Sequence, residues 1–173
     1  MIAVRVALAL LLVVVLLPEL SRYAAERRLY EVASVLQAVG SGSRGVPNPG
    51  VAAMWAVSRA TDVSSRLPGD WRPFVLAGSG LLLIRQPDQA LLRYRQALEL
   101  GERPEIDFNI GRVYASLGLE RHASAAFVRA AWISPALLLW LPPAKADSVS
   151  TELAKLQEAL AEGRLAAPPA LPP

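Results

Sequence analysis

Few residues in this 173-residue chain are suited to acid–base, nucleophilic or metal chemistry. There is one histidine, His122, and no cysteine. A zinc site or a nucleophile–base–orienter triad needs more imidazole or thiolate than that. Disulfides are excluded outright. Asp70, Asp88, Asp107 and Asp147 stand at or near expected helix starts. Capping and the helix dipole account for carboxylates at such positions. Asp62 falls on a solvated helix face, and His122, beside Arg121, reads as a surface residue near a helix start. Gly78-Ser79-Gly80 lacks the Lys-Ser/Thr of a phosphate loop. No catalytic, cofactor-binding or metal-ligating residue is assigned, and the chain is not expected to be an enzyme.

The charge pattern gives nucleic acid no footprint. Lys+Arg total 18 against 15 Asp+Glu, the two signs are interleaved, and no basic block exceeds Arg27–Arg28. A nucleic-acid binder gathers its basic residues on one face. Hydrophobic residues make up 53% and the mean hydropathy is +0.33. One membrane segment joined to an Ala/Leu-rich helical body gives that average.

The membrane segment is expected at 1–21. Val6 to Leu17 is an unbroken run of twelve apolar residues, and the stretch from Ile2 to Leu20 is interrupted only by Arg5, Pro18 and Glu19. A spanning helix needs about 17–25 residues, a length met here if Arg5 and Glu19 snorkel to the headgroups. A cleaved export signal and a buried core helix are the alternatives. The sequence behind the run lacks a small-x-small cleavage site, because Tyr23 and Arg22 occupy the critical places. The pattern therefore favours an uncleaved anchor in a bacterial cytoplasmic membrane, crossing once. The count of Arg on either side leans toward a cytoplasmic body, and the resemblance to an export signal leans the other way. A body outside the cytoplasm is the expectation adopted.

The remainder reads as helices. Residues 22–70 hold an amphipathic helix over 23–39, a Gly/Pro loop over 40–50 with four glycines and two prolines, and a helix over 51–66. Further helices are expected over 71–84, 87–100, 104–117 and 120–133, with Gly101 and Gly118 as stops. Ser134-Pro135 opens a short apolar helix that Pro142-Pro143 ends, and a last helix runs over 147–163 within a capping segment, 142–165. The tail, 166–173, is expected to be disordered or polyproline-like.

Within 71–141 the chain repeats itself. Gly78 recurs as Gly111, Ala90 as Ala123, Tyr94 as Phe127 and Ala97 as Ala130, each 33 residues on. Small residues let antiparallel helices approach closely, and an aromatic fills the space toward the next pair. The unit 104–137 resembles the tetratricopeptide repeat. It places Ile110-Gly111, Tyr114, Gly118, Ala123, Phe127, Ala130 and Pro135 at the family's positions, with Asp107 where the family has Trp. The unit before it keeps Gly78, Ala90, Tyr94 and Ala97 but has Leu81 in place of the first-helix aromatic. A degenerate third unit ends at Pro68, with Ala56, Ala60 and Val63 at second-helix positions. The resemblance implies a short α-solenoid of helical hairpins, and with the apolar run ahead of it the expected chain is all-α: an N-terminal transmembrane helix, the solenoid and a C-terminal capping helix.

It also implies a partner-binding face built by the first helix of each pair. By position that face holds Arg72, Val75, Ser79, Leu82, Phe108, Asn109, Arg112 and Ser116. Asn109 would bond a peptide backbone, and Arg72 and Arg112 a carboxylate. Leu137–Leu141 is more apolar than one buried stripe needs. The last helix is expected to cover it; uncovered, Leu138, Leu139 and Trp140 would form an exposed patch. The expected function is a membrane-anchored adaptor that binds proteins or peptides in a membrane or envelope complex. The alternatives are a permanent structural subunit and an accessory factor of surface-polysaccharide or secretion machinery.

Overall fold

The computed structural model describes residues 2–165, 167 and 169–172, without the side chains of 2–13 and 15. The regular structure of the described residues is all helical, with no strand. The α-helices are α1 (Ile2–Gly40), α2 (Pro49–Ser64), α3 (Arg72–Leu83), α4 (Pro87–Glu99), α5 (Pro104–Ser116), α6 (Glu120–Ile133) and α7 (Pro143–Ala161); a 3-10 helix, Pro135–Trp140, precedes α7.

Two helix starts differ from expectation, and proline explains both. A proline in the first helical turn has no N–H to waste and already holds a helical φ. Thus α2 begins at Pro49, with the Asn48 side chain accepting the Val51 N–H at 3.2 Å. Pro143, expected as a stop, instead opens α7, which places Asp147 inside the helix rather than at its start. The tail touches the body. Its described residues form no helix, but Leu171 packs on the core and Arg129 Nη1 donates to the Pro169 carbonyl at 3.2 Å.

Each helix from α1 to α7 packs against the next in sequence. α1 buries Ala25, Leu29, Val32 and Leu36, one face at helical spacing. These residues meet Ala56, Ala60, Val63 and Leu67 from α2 and the turn after it, and Ala77 from α3. The larger core spans α3 to α7 and centres on Tyr94, Ile106, Ile110, Val113 and Phe127.

The repeated small residues lie at the helix crossings. Ala90, Ala97, Ala123 and Ala130 are all fully buried. A β-carbon placed on Gly78 would lie 2.9 Å from the Tyr94 ring, and one on Gly111 would lie 2.6 Å from the Phe127 ring. The two glycine–aromatic pairs, 33 residues apart, therefore make the same contact in the α3–α4 and α5–α6 hairpins.

Among the described residues no helix is long and apolar enough to cross a membrane. Most of the apolar run over 6–17 has side chains outside the described set. The backbone of α1 continues unbroken from that run into the packed body, past Pro18.

Candidate partner-binding groove

The cleft beside α5 is built from residue spacing. Phe108, Arg112 and Ser116 recur every four residues and so lie along one side of α5. Leu82 of α3 adds a second wall. Trp140, Leu141 and Lys145 close the third, where the 3-10 helix turns into α7. The space enclosed is about 770 Å³ and open to solvent.

Its floor is aromatic. The Phe108 and Phe127 ring centroids are 5.3 Å apart at 54°, and Trp140 stands edge-on to Phe108 at 6.3 Å and 81°. Such tilted and edge-to-face contacts are the favoured aromatic arrangements. Phe108 is buried, whereas Trp140 remains 75% exposed, so its ring forms a lip of the cleft.

Two cations stand at the groove in different states. Lys145 Nζ is engaged by Glu120 Oε2 and Ser124 Oγ, both at 2.9 Å. Arg112 is exposed, and the one hydrogen bond it makes among the described residues is Nη1 to Asn109 Oδ1 at 3.1 Å. No carboxylate pairs with Arg112 there.

The eight residues expected on the binding face therefore divide. Leu82, Phe108, Arg112 and Ser116 line the cleft. Val75 is half-buried and packs on the core, and Ser79 Oγ shares a 3.0 Å hydrogen bond with the Tyr94 hydroxyl. Asn109 Nδ2 donates to the Glu105 carbonyl at 2.8 Å, so its amide is held by its own helix. Arg72 is also committed elsewhere. It holds Asp70 through Nε at 3.0 Å and Glu26 through Nη2 at 2.6 Å, tying α3 to α1. Burial pushes the Asp70 carboxyl up, but the Arg72 hydrogen bonds and charge outweigh it and hold the group below its usual range.

The Leu/Trp segment is only partly covered. Leu137, Leu138 and Leu141 pack on the core, while Leu139 is 86% exposed beside Trp140. A 3-10 helix has a three-sided cross-section, so five consecutive apolar residues cannot share one side. Leu138 therefore leaves the expected patch, and α7 does not cover Leu139 or Trp140.

Sequence reasoning missed Asp107. It is fully buried in α5, and neither carboxylate oxygen has a hydrogen-bond partner among the described residues. Burial, with the neighbouring Glu102 charge, pushes its carboxyl up to about 7, and Arg129 opposes the shift. Arg129 is bound to Glu102 through two 2.6 Å bonds. The signal was present in the sequence: Asp107 stands where the repeat family carries a buried aromatic.

No family model, curated protein or solved structure matches this chain. The repeat resemblance rests on the residues themselves and on the equivalent glycine–aromatic contacts. His122 is exposed, 5.3 Å from the Tyr114 ring, and among the described residues no group of three or more His, Asp or Glu side chains is placed to hold a metal ion.

Proposed function

We propose that this chain is a membrane-anchored adaptor with a short tetratricopeptide-like solenoid that binds a peptide segment of a partner protein in the cleft beside α5. The observation that carries the reading is the cleft itself. An aromatic floor, a protruding Trp140 and an Arg112 without a carboxylate partner lie within one open space of about 770 Å³. A peptide groove combines an apolar seat with a few placed polar groups. A segment with an apolar side chain for Phe108 and Trp140 and a carboxylate for Arg112 has the matching chemistry. The anchor in this reading is the apolar stretch from Ile2 to Leu20, which reaches about 17–25 residues only with Arg5 and Glu19 at the headgroups, and we place the body outside a bacterial cytoplasmic membrane because the stretch resembles an export signal.

Binding of a soluble peptide library to the full chain in neutral detergent tests the groove. The expected ligands pair an apolar residue with an acidic one, and Trp140→Ala and Arg112→Gln each weaken them without moving the melting temperature. Ligands indifferent to both substitutions would remove the groove from the reading. Alkaline extraction of membranes tests the anchor: a chain released with the peripheral proteins is not anchored through 6–17.

The exposed pair Leu139 and Trp140 favours one rival, a structural subunit whose patch is covered permanently. That reading requires the full chain to aggregate, or to resist purification, without its partner.

A further inference from the structure

A second cleft lies between α1 and α2 and shares no residue with the groove. Arg28, Trp55, Ser58, Arg59, Asp62 and Arg66 enclose about 560 Å³ there, open to solvent. Three guanidiniums thus face one carboxylate, leaving a formal surplus of two positive charges.

Asp62 pairs with two of them, both at long range, and leaves Arg59 without a carboxylate. Its Oδ2 lies 3.5 Å from Arg28 Nη1 and 3.6 Å from Arg66 Nε. By contrast, Arg72–Glu26 and Arg129–Glu102 each close to 2.6 Å. The Arg59 guanidinium lies 5.9 Å from the Trp55 ring centroid and pairs with no carboxylate among the described residues. Glu31 borders an adjoining hollow, but Arg27 Nε holds it at 3.2 Å.

Ser58 adds an uncommitted donor. Thr61, Ser64 and Ser65 return their hydroxyls to backbone carbonyls of α2 at 2.8–2.9 Å. The Ser58 hydroxyl makes no such bond among the described residues and borders the cleft.

We propose that this cleft binds a phosphate group, held by Arg28, Arg59 and Arg66, with Ser58 donating a further hydrogen bond and Trp55 forming the wall. The planar guanidinium offers paired N–H donors that match phosphate oxygens. Three guanidiniums and a hydroxyl supply more donors than the two oxygens of a carboxylate use, whereas a phosphate offers three strong acceptors. Asp62 steadies Arg28 and Arg66 and at the same time competes for them. The phosphate belongs either to an anionic lipid headgroup or to a soluble phosphate, and the site chemistry is the same for both.

Calorimetric titration of the full chain in neutral detergent micelles tests this. One arm adds inorganic phosphate at fixed ionic strength. The other dopes the micelles with phosphatidylglycerol, with phosphatidylcholine as control. Saturable binding is expected in at least one arm. Arg59→Gln and Arg66→Gln should each weaken it roughly tenfold or more, the loss of a charge-assisted hydrogen bond. Asp62→Asn should tighten it several-fold. Arg121→Gln, an equal charge change at an exposed site elsewhere, should leave it unaltered, and all variants should melt with the native chain. Response to phosphatidylglycerol alone assigns the site to a headgroup, and response to inorganic phosphate assigns it to a soluble ligand. The proposal is overturned by no saturable binding in either arm, by Arg121→Gln weakening binding as much as Arg59→Gln, or by Asp62→Asn weakening it.

Discussion

Replacing Gly111 by alanine adds one methyl group where α5 crosses α6. The new carbon would lie 2.6 Å from Cδ1 and Cε1 of Phe127 and 3.1 Å from its Cγ. Carbon atoms rest at about 3.5–4.0 Å, so roughly 1 Å must be found. Phe127 cannot swing away freely, because it is buried and its ring abuts Phe108 at 5.3 Å. Overpacking of this kind costs about 1–3 kcal/mol. Against it stands the helix preference of alanine over glycine, about 0.5–1 kcal/mol. A 2.6 Å contact belongs in the upper half of that range, about 2–3 kcal/mol, so the net destabilisation is about 1–2.5 kcal/mol, a fall in melting temperature of roughly 2–10 °C for a chain of this size. Circular dichroism melts of the full chain in neutral detergent measure it. Gly78→Ala, with its contact at 2.9 Å, should cost less. Phe127→Leu in the Gly111→Ala background should recover part of the loss, giving a coupling of about 1 kcal/mol in a double-mutant cycle. A Gly111→Ala chain that melts at or above the native temperature refutes the close crossing, and additive double-mutant energies refute Phe127 as its partner.

The same melts bear on three other positions. Asp107 holds its proton more tightly in the folded chain than in the unfolded one, so stability is fully present below about pH 4 and falls as pH rises toward about 7. The loss is of order 4 kcal/mol; Asp107→Asn should flatten the pH dependence and be the more stable chain at pH 8, and an unchanged slope would show that Asp107 is not its source. Arg72→Gln removes the tie between α3 and α1; with Arg72 and Glu26 both more than a third exposed, the expected cost is only about 1 kcal/mol, read as a modest lowering of the urea midpoint. Trp140→Ser should leave the melting temperature within a degree or two, because the ring is mostly exposed, while reducing self-association measured by light scattering in neutral detergent.

The regular part of this fold was legible because spacing encodes it. The 33-residue recurrence marks Gly78 and Gly111, and Tyr94 and Phe127, as equivalent places, but it assigns the aromatics to the space toward the next pair, whereas each ring packs on the glycine of its own hairpin. Glycine and proline marked the helix ends, with errors only where proline opens a helix as readily as it ends one. The groove was half legible. The spacing of Phe108, Arg112 and Ser116 identifies one side of α5, but no periodicity reports that Arg72 is bound by Glu26, 46 residues away in sequence. Pairings of that separation depend on how the hairpins stack. Asp107 was half legible: its place in the repeat is that of a buried aromatic, but a carboxylate in a first turn ordinarily faces water, and only the packing of neighbouring elements closes this one off. The cleft between α1 and α2 combines residues from two helices, and its arginines looked like ordinary solvated charges one helix at a time.

The unbroken course of α1 gives the groove a compass heading. The helix holds 39 residues, about 58 Å of rod at 1.5 Å per residue, and Ala25, Leu29, Val32 and Leu36 fasten the body to its far portion. No loop separates the two ends, and Pro18 removes one rung of the ladder without ending the helix, so a turn of the first residues about the rod axis carries the cleft around with it. One residue added between Pro18 and Ala25 would swing the opening by about 100°, and two by about 200°, nearly reversing it, while four would return it to within about 40°. A partner anchored beside the rod would lose contact with the first two insertions and recover much of it with the third.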